Sequence, residues 1–193
     1  MAIDSEEVRS DAQELLDAGA HDRLDTMRHS AAHIMAAAVL ELFPEARLGI
    51  GPAIKDGFYY DFDLPRALTP ADLEAIEERM RAQVSANLPF ERSELSRDDA
   101  LNQLENEGQG YKVEIVRELP EGDAQVISFY RHGAFNDLCR GPHVPTTGEL
   151  GPFKLLHSAG AYWRGDEKRP MLQHIYGTVW ESQDDLDRYL WRL

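Results

Sequence analysis

Cysteine is nearly absent from this sequence, and long apolar runs are missing. The 193 residues include one cysteine, Cys139, so no disulfide can form within the chain, and a lone thiol is typical of a reducing compartment. No apolar run approaches the roughly 20 residues of a membrane span, and an N-terminus carrying Asp4, Glu6 and Glu7 is too acidic for a signal peptide. We therefore expect a soluble cytoplasmic protein with no membrane partner.

Basic residues are also scarce relative to acidic ones. The chain has 20 Lys plus Arg against 35 Asp plus Glu, which gives a formal net charge of -15. Nucleic-acid affinity comes mainly from Lys and Arg that neutralise phosphates, so this composition excludes a general nucleic-acid binder, and no DNA partner is expected. With 42% hydrophobic residues, the bulk of the chain is nevertheless expected to fold around a core.

The strongest structural prediction is a buried helix between Thr26 and Phe43. Every residue from 31 to 40 is apolar except His33, and a helix that is apolar on nearly all sides is normally buried. A shorter amphipathic helix is predicted at residues 5–18. With its linker it makes up an N-terminal unit, 1–22, ahead of a main domain at 23–193.

The remaining patterns predict a sheet and a small subdomain. Aromatic and turn-forming residues predict a hairpin at 47–63, and Thr69 followed by proline is a good helix start. Residues 70–110 are predicted to form a helix-strand-helix subdomain. From Tyr111 onward the pattern is mostly β, with a last helix from Ser182. The predicted fold class is therefore α+β, with a central buried helix packed on an antiparallel sheet.

Two pairs of residues have side chains of the kinds that occur in catalytic and metal-binding sites. His29 and His33 stand four residues apart on the predicted helix, so both imidazoles project from one face. Cys139 and His143 flank an Arg-Gly-Pro segment, which must form a turn. Three histidines and one cysteine are an inventory typical of zinc, although a closed set of four suits a structural ion better than a catalytic one. For an isolated pair, buried structural histidines are the simpler interpretation.

Three further residues could join this group. Asp137 precedes Cys139 by two positions, so on an extended strand both side chains face the same way. Lys112 has no local pattern that distinguishes it from a solvated surface cation. Tyr60 lies in an aromatic strand, where packing in the core is its expected role.

Several longer motifs surround these residues, and together they resemble the editing domain of bacterial threonyl-tRNA synthetases. That domain is the second additional domain, which is shared with alanyl-tRNA synthetases. The resemblance extends from about Thr26 to Leu193. The motifs that carry it are Arg28-His29-Ser30-Ala31-Ala32-His33, Ile50-Gly51-Pro52 with Gly57-Phe58-Tyr59-Tyr60-Asp61, Asp137-Leu138-Cys139-Arg140-Gly141-Pro142-His143, Ser158-Ala159-Gly160-Ala161-Tyr162-Trp163-Arg164-Gly165-Asp166 and Ile175-Tyr176-Gly177-Thr178.

The resemblance implies an aminoacyl-tRNA hydrolase that cleaves the ester of seryl-tRNA(Thr). Serine is threonine without one methyl group, and a missing methylene gives only about 1–3 kcal/mol of discrimination, so a second site must remove the wrong product. The chain would act as a fragment of threonyl-tRNA synthetase or as a free-standing trans-editing protein. Its partners would be the 3′ end of the tRNA(Thr) acceptor and, for a fragment, the remainder of the synthetase. The chain alone is not expected to aminoacylate.

The resemblance also assigns site residues. The catalytic set implied is His29, His33, Lys112, Asp137, Cys139 and His143, and substrate contacts are expected from Asp137, Tyr60 and Arg140. No cofactor is expected to be required, because the threonyl branch is thought to work without a metal here. Zinc held by His29, His33, Cys139 and His143 is the alternative that is not favoured.

Two other functions stay open on the sequence alone. The first is a zinc-dependent deacylase for another aminoacyl-tRNA, such as a substrate of the alanyl branch. The second is a non-catalytic binding module in which the His/Cys cluster is structural. The first predicts zinc dependence, and the second predicts no ester hydrolysis.

Overall fold

The computed structural model describes residues 23–120 and 126–193. The helix predicted at 5–18 lies outside these residues. In chain order the elements are α1 (Arg23–Leu42), β1 (Arg47–Leu48), β2 (Ala53–Ile54), β3 (Gly57–Asp63), α2 (Pro70–Ala86), β4 (Glu91–Ser96), α3 (Arg97–Asn106), α4 (Gly110–Glu118), β5 (Val126–His132), β6 (Phe135–Leu138), β7 (Phe153–Tyr162), β8 (Met171–Val179) and α5 (Gln183–Arg192), with 3₁₀ turns at Thr147–Glu149 and Trp163–Gly165. The predicted α+β class is confirmed.

The main sheet is antiparallel and has five strands. Its order is β1-β3-β8-β7, and β2 also pairs with β3. In the centre, Tyr60 of β3 lies opposite Ile175 of β8. Both side chains are buried, which places them on the inner face of the sheet.

Helix α1 packs against this inner face, as its apolar sequence predicts. Its buried residues run from Met27 to Val39 with one gap at the half-buried His29, and Phe58 and Ile175 of the sheet belong to the same core. The many alanines of α1 allow the sheet to approach the helix axis closely. Helix α2 starts at Pro70 after a capping box made by Thr69 and Asp72, and it contributes Ile76 and Met80 to this core.

A second sheet accompanies the predicted helix-strand-helix subdomain. Strand β4 pairs with β5, and β5 pairs with β6, in one antiparallel sheet of three strands. Helices α3 and α4 contribute Leu104 and Val116 to a separate small core beneath Phe129. The strands β5 and β6 therefore do not extend the main sheet.

The β pattern predicted from Tyr111 onward is wrong at its start. Residues Gly110–Glu118 form helix α4, in which Val113 and Val116 are buried. Local β-propensity is overridden here by packing, because the apolar residues three apart face the small core. Within the described residues, no helix has the length and hydropathy needed to cross a bilayer.

Candidate functional site

Helix α1 and the loop after β6 bring the two predicted pairs together. The Sγ atom of Cys139 lies 3.2 Å from Nε2 of His29 and 3.3 Å from Nε2 of His143. The ring centroids of His29 and His33 are 5.2 Å apart, as their spacing on one helix face predicts. The ring of His33 meets that of His143 at 4.3 Å. Three imidazoles and one thiol therefore form a single cluster.

The cluster has the composition and size of a metal site. One ligand atom from each of His29, His33, Cys139 and His143 can be chosen so that all four lie within 4.8 Å of one another. Three imidazole nitrogens and one thiolate are ligands that Zn²⁺ accepts in tetrahedral geometry. Bound there, zinc would use all four protein ligands and leave no open position for water, unless one ligand moved away.

A buried ion pair borders the cluster. Nζ of Lys112, on α4, lies 3.0 Å from Oδ1 of Asp137 on β6, and both side chains are at most 5% exposed. Lys112 also donates to the Tyr60 hydroxyl at 2.9 Å, and that hydroxyl donates to Asp137 Oδ2 at 2.5 Å. Nε2 of His33 is 3.9 Å from the same carboxylate oxygen. Lys112 is thus a buried group of the site and not the solvated cation of the simplest interpretation.

The ring of His143 is fixed on both sides by aromatic residues that the sequence did not single out. Phe90 stacks on it with a centroid distance of 4.6 Å and an interplanar angle of 3°, and Tyr130 packs edge-on at 4.6 Å. Gly141, at φ +76°, brings the turn backbone against Tyr130 and donates its N–H to Cys139 Sγ at 3.2 Å. The only available signal for Phe90 was its place after Pro89, next to the predicted strand.

Burial keeps His33, Cys139 and His143 uncharged at neutral pH. It lowers the pKa of His33 well below 6.5, and the neighbouring His143, His29 and Lys112 lower it further. Burial, followed by the His29 and His132 charges, also lowers the pKa of His143 well below 6.5. Burial raises the pKa of the Cys139 thiol to about 12. In the metal-free state, Cys139 is therefore a thiol and not a reactive thiolate at neutral pH.

The Tyr60 hydroxyl also keeps its proton. Its pKa is raised well above 10 by burial, and then by the charge of Asp137 and the hydrogen bond to it. A protonated phenol can donate to Asp137 while it accepts from Lys112. Tyr60, which the sequence predicts to pack in the core, is therefore also a polar member of the site.

Comparisons with known proteins identify the family. A family model described as the threonyl and alanyl tRNA synthetase second additional domain matches residues 127–176. The chain is 59% identical over 172 residues to a threonine–tRNA ligase of Acidithiobacillus ferrooxidans, which is 89% of this chain and 26% of that protein. It is 54% identical over 169 residues to the Laribacter hongkongensis enzyme, and 55% over 170 residues to that of Coxiella burnetii, in each case 88% of this chain and 26% of the relative.

Over residues 127–176 the chain matches the second additional domain family of threonyl- and alanyl-tRNA synthetases. It spans about a quarter of the length of the curated relatives it matches. Because these relatives are all threonine–tRNA ligases, the resemblance to the threonyl branch is confirmed.

Arg140 is the remaining predicted substrate contact, and Arg164 belongs to one of the motifs that carry the resemblance. Arg140 is exposed at the start of the turn that leads to His143. Arg164 lies 3.2 Å from Glu114 and 2.5 Å from Glu118, so its charge is already paired. The hairpin that carries Arg164 also contacts α4 through Trp163, whose indole N–H donates to Glu114 at 3.3 Å. The structure gives these arginines different surroundings, and Arg140 is the better placed to reach a phosphate.

Two surface cavities of the second additional domain, of about 480 and 360 Å³, lie elsewhere. The larger is lined by residues of α2, α5 and the segment 150–154, and the smaller lies between the β2-β3 turn, Tyr176 and Leu193. Neither is lined by a residue of the His/Cys cluster. The chemistry of the side chains, and not cavity size, singles out the candidate site.

Proposed function

We propose that this chain hydrolyses the ester of seryl-tRNA(Thr). The observation that carries the proposal is the His/Cys cluster beside the buried Lys112–Asp137 pair, in a chain whose family links it to tRNA editing. An aminoacyl ester is already activated. The site therefore needs a positioned water, a proton acceptor and a group that stabilises the oxyanion.

In this proposal His29 is the proton acceptor. With His143, it is one of the two half-buried imidazoles of the cluster, and its neighbour Cys139 presents an uncharged sulfur at 3.2 Å. His29 takes a proton from the attacking water, directly or through the terminal ribose hydroxyl. Cys139 orders that water against the seryl group and is not acylated, since its raised pKa keeps it a thiol. His33 and His143 complete the polar floor.

In the proposed reaction, Lys112 stabilises the negative charge of the oxyanion and Asp137 binds the positive charge of the seryl ammonium. The Lys112 ammonium has three protons, of which it shares some with Asp137 and Tyr60, and one is left for the developing oxyanion. A carboxylate can accept about four hydrogen bonds, so Asp137 keeps capacity for the seryl ammonium on the side nearest His33. Arg140 contacts the 3′ end of the tRNA.

The test is deacylation of seryl-tRNA(Thr) and threonyl-tRNA(Thr) by the wild-type chain, His29→Ala and Cys139→Ala. We expect serine release by the wild type and a loss of about 100-fold or more for His29→Ala, as for removal of a general base. His157→Ala is the matched control, because it removes an exposed imidazole from β7 outside the cluster. Serine release that neither His29→Ala nor Cys139→Ala diminishes would overturn the proposal.

A zinc-dependent deacylase is the second candidate, and the 4.8 Å ligand cluster favours it. Metal analysis of the purified chain before and after chelation separates the two. Stoichiometric zinc together with loss of deacylation on chelation would support this candidate. Full deacylation after chelation would exclude it.

A further inference from the structure

The hydroxyl of Ser30 lies in the middle of the site, between the two histidines of α1 in sequence, and is fully buried. Its Oγ is 2.8 Å from the carbonyl oxygen of Thr26, 3.0 Å from the backbone nitrogen of Val144 and 3.0 Å from Nδ1 of His143. Since water does not reach it, these three groups must satisfy it. Ser30 is not among the residues that the sequence assigned to the site.

The protons available to the four groups determine which group donates in each of the three contacts. A serine hydroxyl has one proton to donate and two lone pairs to accept with. The Val144 N–H can only donate, and the Thr26 carbonyl can only accept. If Ser30 donates to Thr26, as serines in helices do, its second lone pair accepts a proton from Nδ1 of His143. All three contacts are then hydrogen bonds.

The opposite arrangement loses one of these bonds. If Ser30 donated to His143, the Thr26 carbonyl and the serine oxygen would face each other at 2.8 Å with no proton between them. An unmade hydrogen bond at a buried position is costly. The first arrangement is therefore favoured, and it requires that His143 carry its proton on Nδ1.

We propose that Ser30 is a positioning residue that holds neutral His143 in the tautomer protonated at Nδ1. The Nε2 lone pair of His143 then faces Sγ of Cys139 at 3.3 Å and can accept the thiol proton, as can Nε2 of His29 at 3.2 Å. Ser30 thereby fixes which nitrogen of His143 faces the thiol without touching the substrate. Its effect on catalysis rests on the proposed hydrolysis, whereas the tautomer itself does not.

Long-range ¹H–¹⁵N correlation spectra of the ¹⁵N-labelled chain at neutral pH test the tautomer. We expect His143 to show a protonated Nδ1 and a bare Nε2 in the wild type. The pattern should shift towards protonated Nε2 in Ser30→Ala and return in Ser30→Thr, which keeps a hydroxyl. A wild-type His143 protonated at Nε2 would overturn the proposal, even if Ser30→Ala does not fold.

Ser128→Ala is the matched control for the loss of a buried hydroxyl near the site. The Ser128 hydroxyl donates to the Cys139 carbonyl at 2.7 Å, and within the described residues it has no hydrogen bond to His143. We expect Ser128→Ala to leave the His143 tautomer unchanged. If it shifts the tautomer as much as Ser30→Ala does, the role assigned to Ser30 is wrong.

Deacylation of seryl-tRNA(Thr) supplies the functional readout. We expect Ser30→Ala to slow it about 10- to 100-fold, the range typical when a group that orients a functional histidine is removed, and Ser30→Thr to recover most of the rate. A correct tautomer in a wild-type chain that does not deacylate would contradict the proposed function alone. Full activity in a Ser30→Ala chain with a shifted tautomer would contradict the catalytic part of this inference.

Discussion

Lys112 and Asp137 are oppositely charged groups removed from water together. Their side chains are 5% and 3% exposed, and Tyr60 bridges them. Removing two charges from water costs several kcal/mol for each ion, which their attraction must repay. Burying this pair is therefore costly in free energy of folding. Its position beside the His/Cys cluster is consistent with a role in the chemistry of the site.

The cost of breaking this pair can be measured. We expect Lys112→Met to destabilise the chain by about 3–5 kcal/mol, because it leaves the Asp137 carboxylate buried and unpaired. The double variant Lys112→Met with Asp137→Asn should recover most of that loss, since the amide is neutral and still accepts from Tyr60. Urea unfolding gives both values. Equal instability of the single and double variants would contradict this account, and neither variant should deacylate.

His132 links stability to pH. Burial lowers its pKa from 6.5 to about 4, and its ring is packed against Phe90 and Phe135. The unfolded chain binds this proton more readily than the folded one. The contribution of neutral, buried His132 to the free energy of unfolding is therefore complete above about pH 6.5. It falls as pH decreases from 6.5 towards 4. At pH 5 the loss amounts to about 2 kcal/mol.

Replacing His132 should remove that loss. Between pH 7 and pH 5, His132→Phe is expected to lose about 2 kcal/mol less stability than the wild type. His157→Phe controls for the change from histidine to phenylalanine itself, since His157 is exposed on β7. Urea unfolding at both pH values provides the comparison. Parallel pH dependence of His132→Phe and the wild type would refute the linkage.

At the scale of elements, helix α4 is held by the hairpin that joins β7 to β8. Glu114 of α4 lies 3.2 Å from Nε of Arg164 and 2.9 Å from Arg169, and Tyr111 reaches Asp63 of β3 at 3.0 Å. Lys112 follows Tyr111 in sequence, and these contacts hold its helix where Nζ of Lys112 lies 3.0 Å from the carboxylate of Asp137. The hairpin motif thus supports the site from outside.

This arrangement explains which parts of the site the sequence could predict. The His29–His33 and Asp137–Cys139 pairs follow from local periodicity, since spacings of four in a helix and two in a strand put side chains on one face. The burial of Lys112 depends on a partner 25 residues away and on a helix that β-prone residues concealed. No local pattern carries such information. The assignment of Ser30 required hydrogen-bond geometry.

The turn after β6 offers an element-scale prediction. Gly141 has φ +76°, and a Cβ placed on it would lie 2.4 Å from the Tyr130 hydroxyl oxygen. Gly141→Ala should therefore cost more than the roughly 1–2 kcal/mol of a left-handed backbone, displace Tyr130 from His143 and lower deacylation. Thermal unfolding and seryl-tRNA(Thr) hydrolysis measure the two effects.

Gly108→Ala separates backbone strain from steric overlap. Gly108 has φ +69°, but a Cβ there would meet no atom within 4 Å. We expect a loss of about 1–2 kcal/mol from the backbone alone and unchanged hydrolysis. If the two alanine variants behave alike, contact with Tyr130 is not what the glycine at 141 provides.

At the scale of the whole molecule, the net charge of -15 opposes contact with the tRNA backbone. Two positive groups of the predicted site residues and motifs are neutralised, Lys112 by Asp137, and Arg164 by Glu114 and Glu118. Phosphate contacts contribute a large part of nucleic-acid affinity. For the hydrolysis proposed above, this charge distribution would limit contact to the single-stranded 3′ end, with little attraction for the rest of the tRNA.

We accordingly expect the isolated chain to bind uncharged tRNA(Thr) weakly and in a salt-sensitive manner. Arg140→Gln should reduce the slope of log affinity against log salt by about 0.7, the value for one phosphate of a single strand. Arg131→Gln is the control, because Arg131 is exposed but already paired with Glu91 at 2.5 Å, and its slope should match the wild type. Fluorescence anisotropy across a salt series measures all three. Tight binding at physiological salt would show that the acidic surface does not limit this contact.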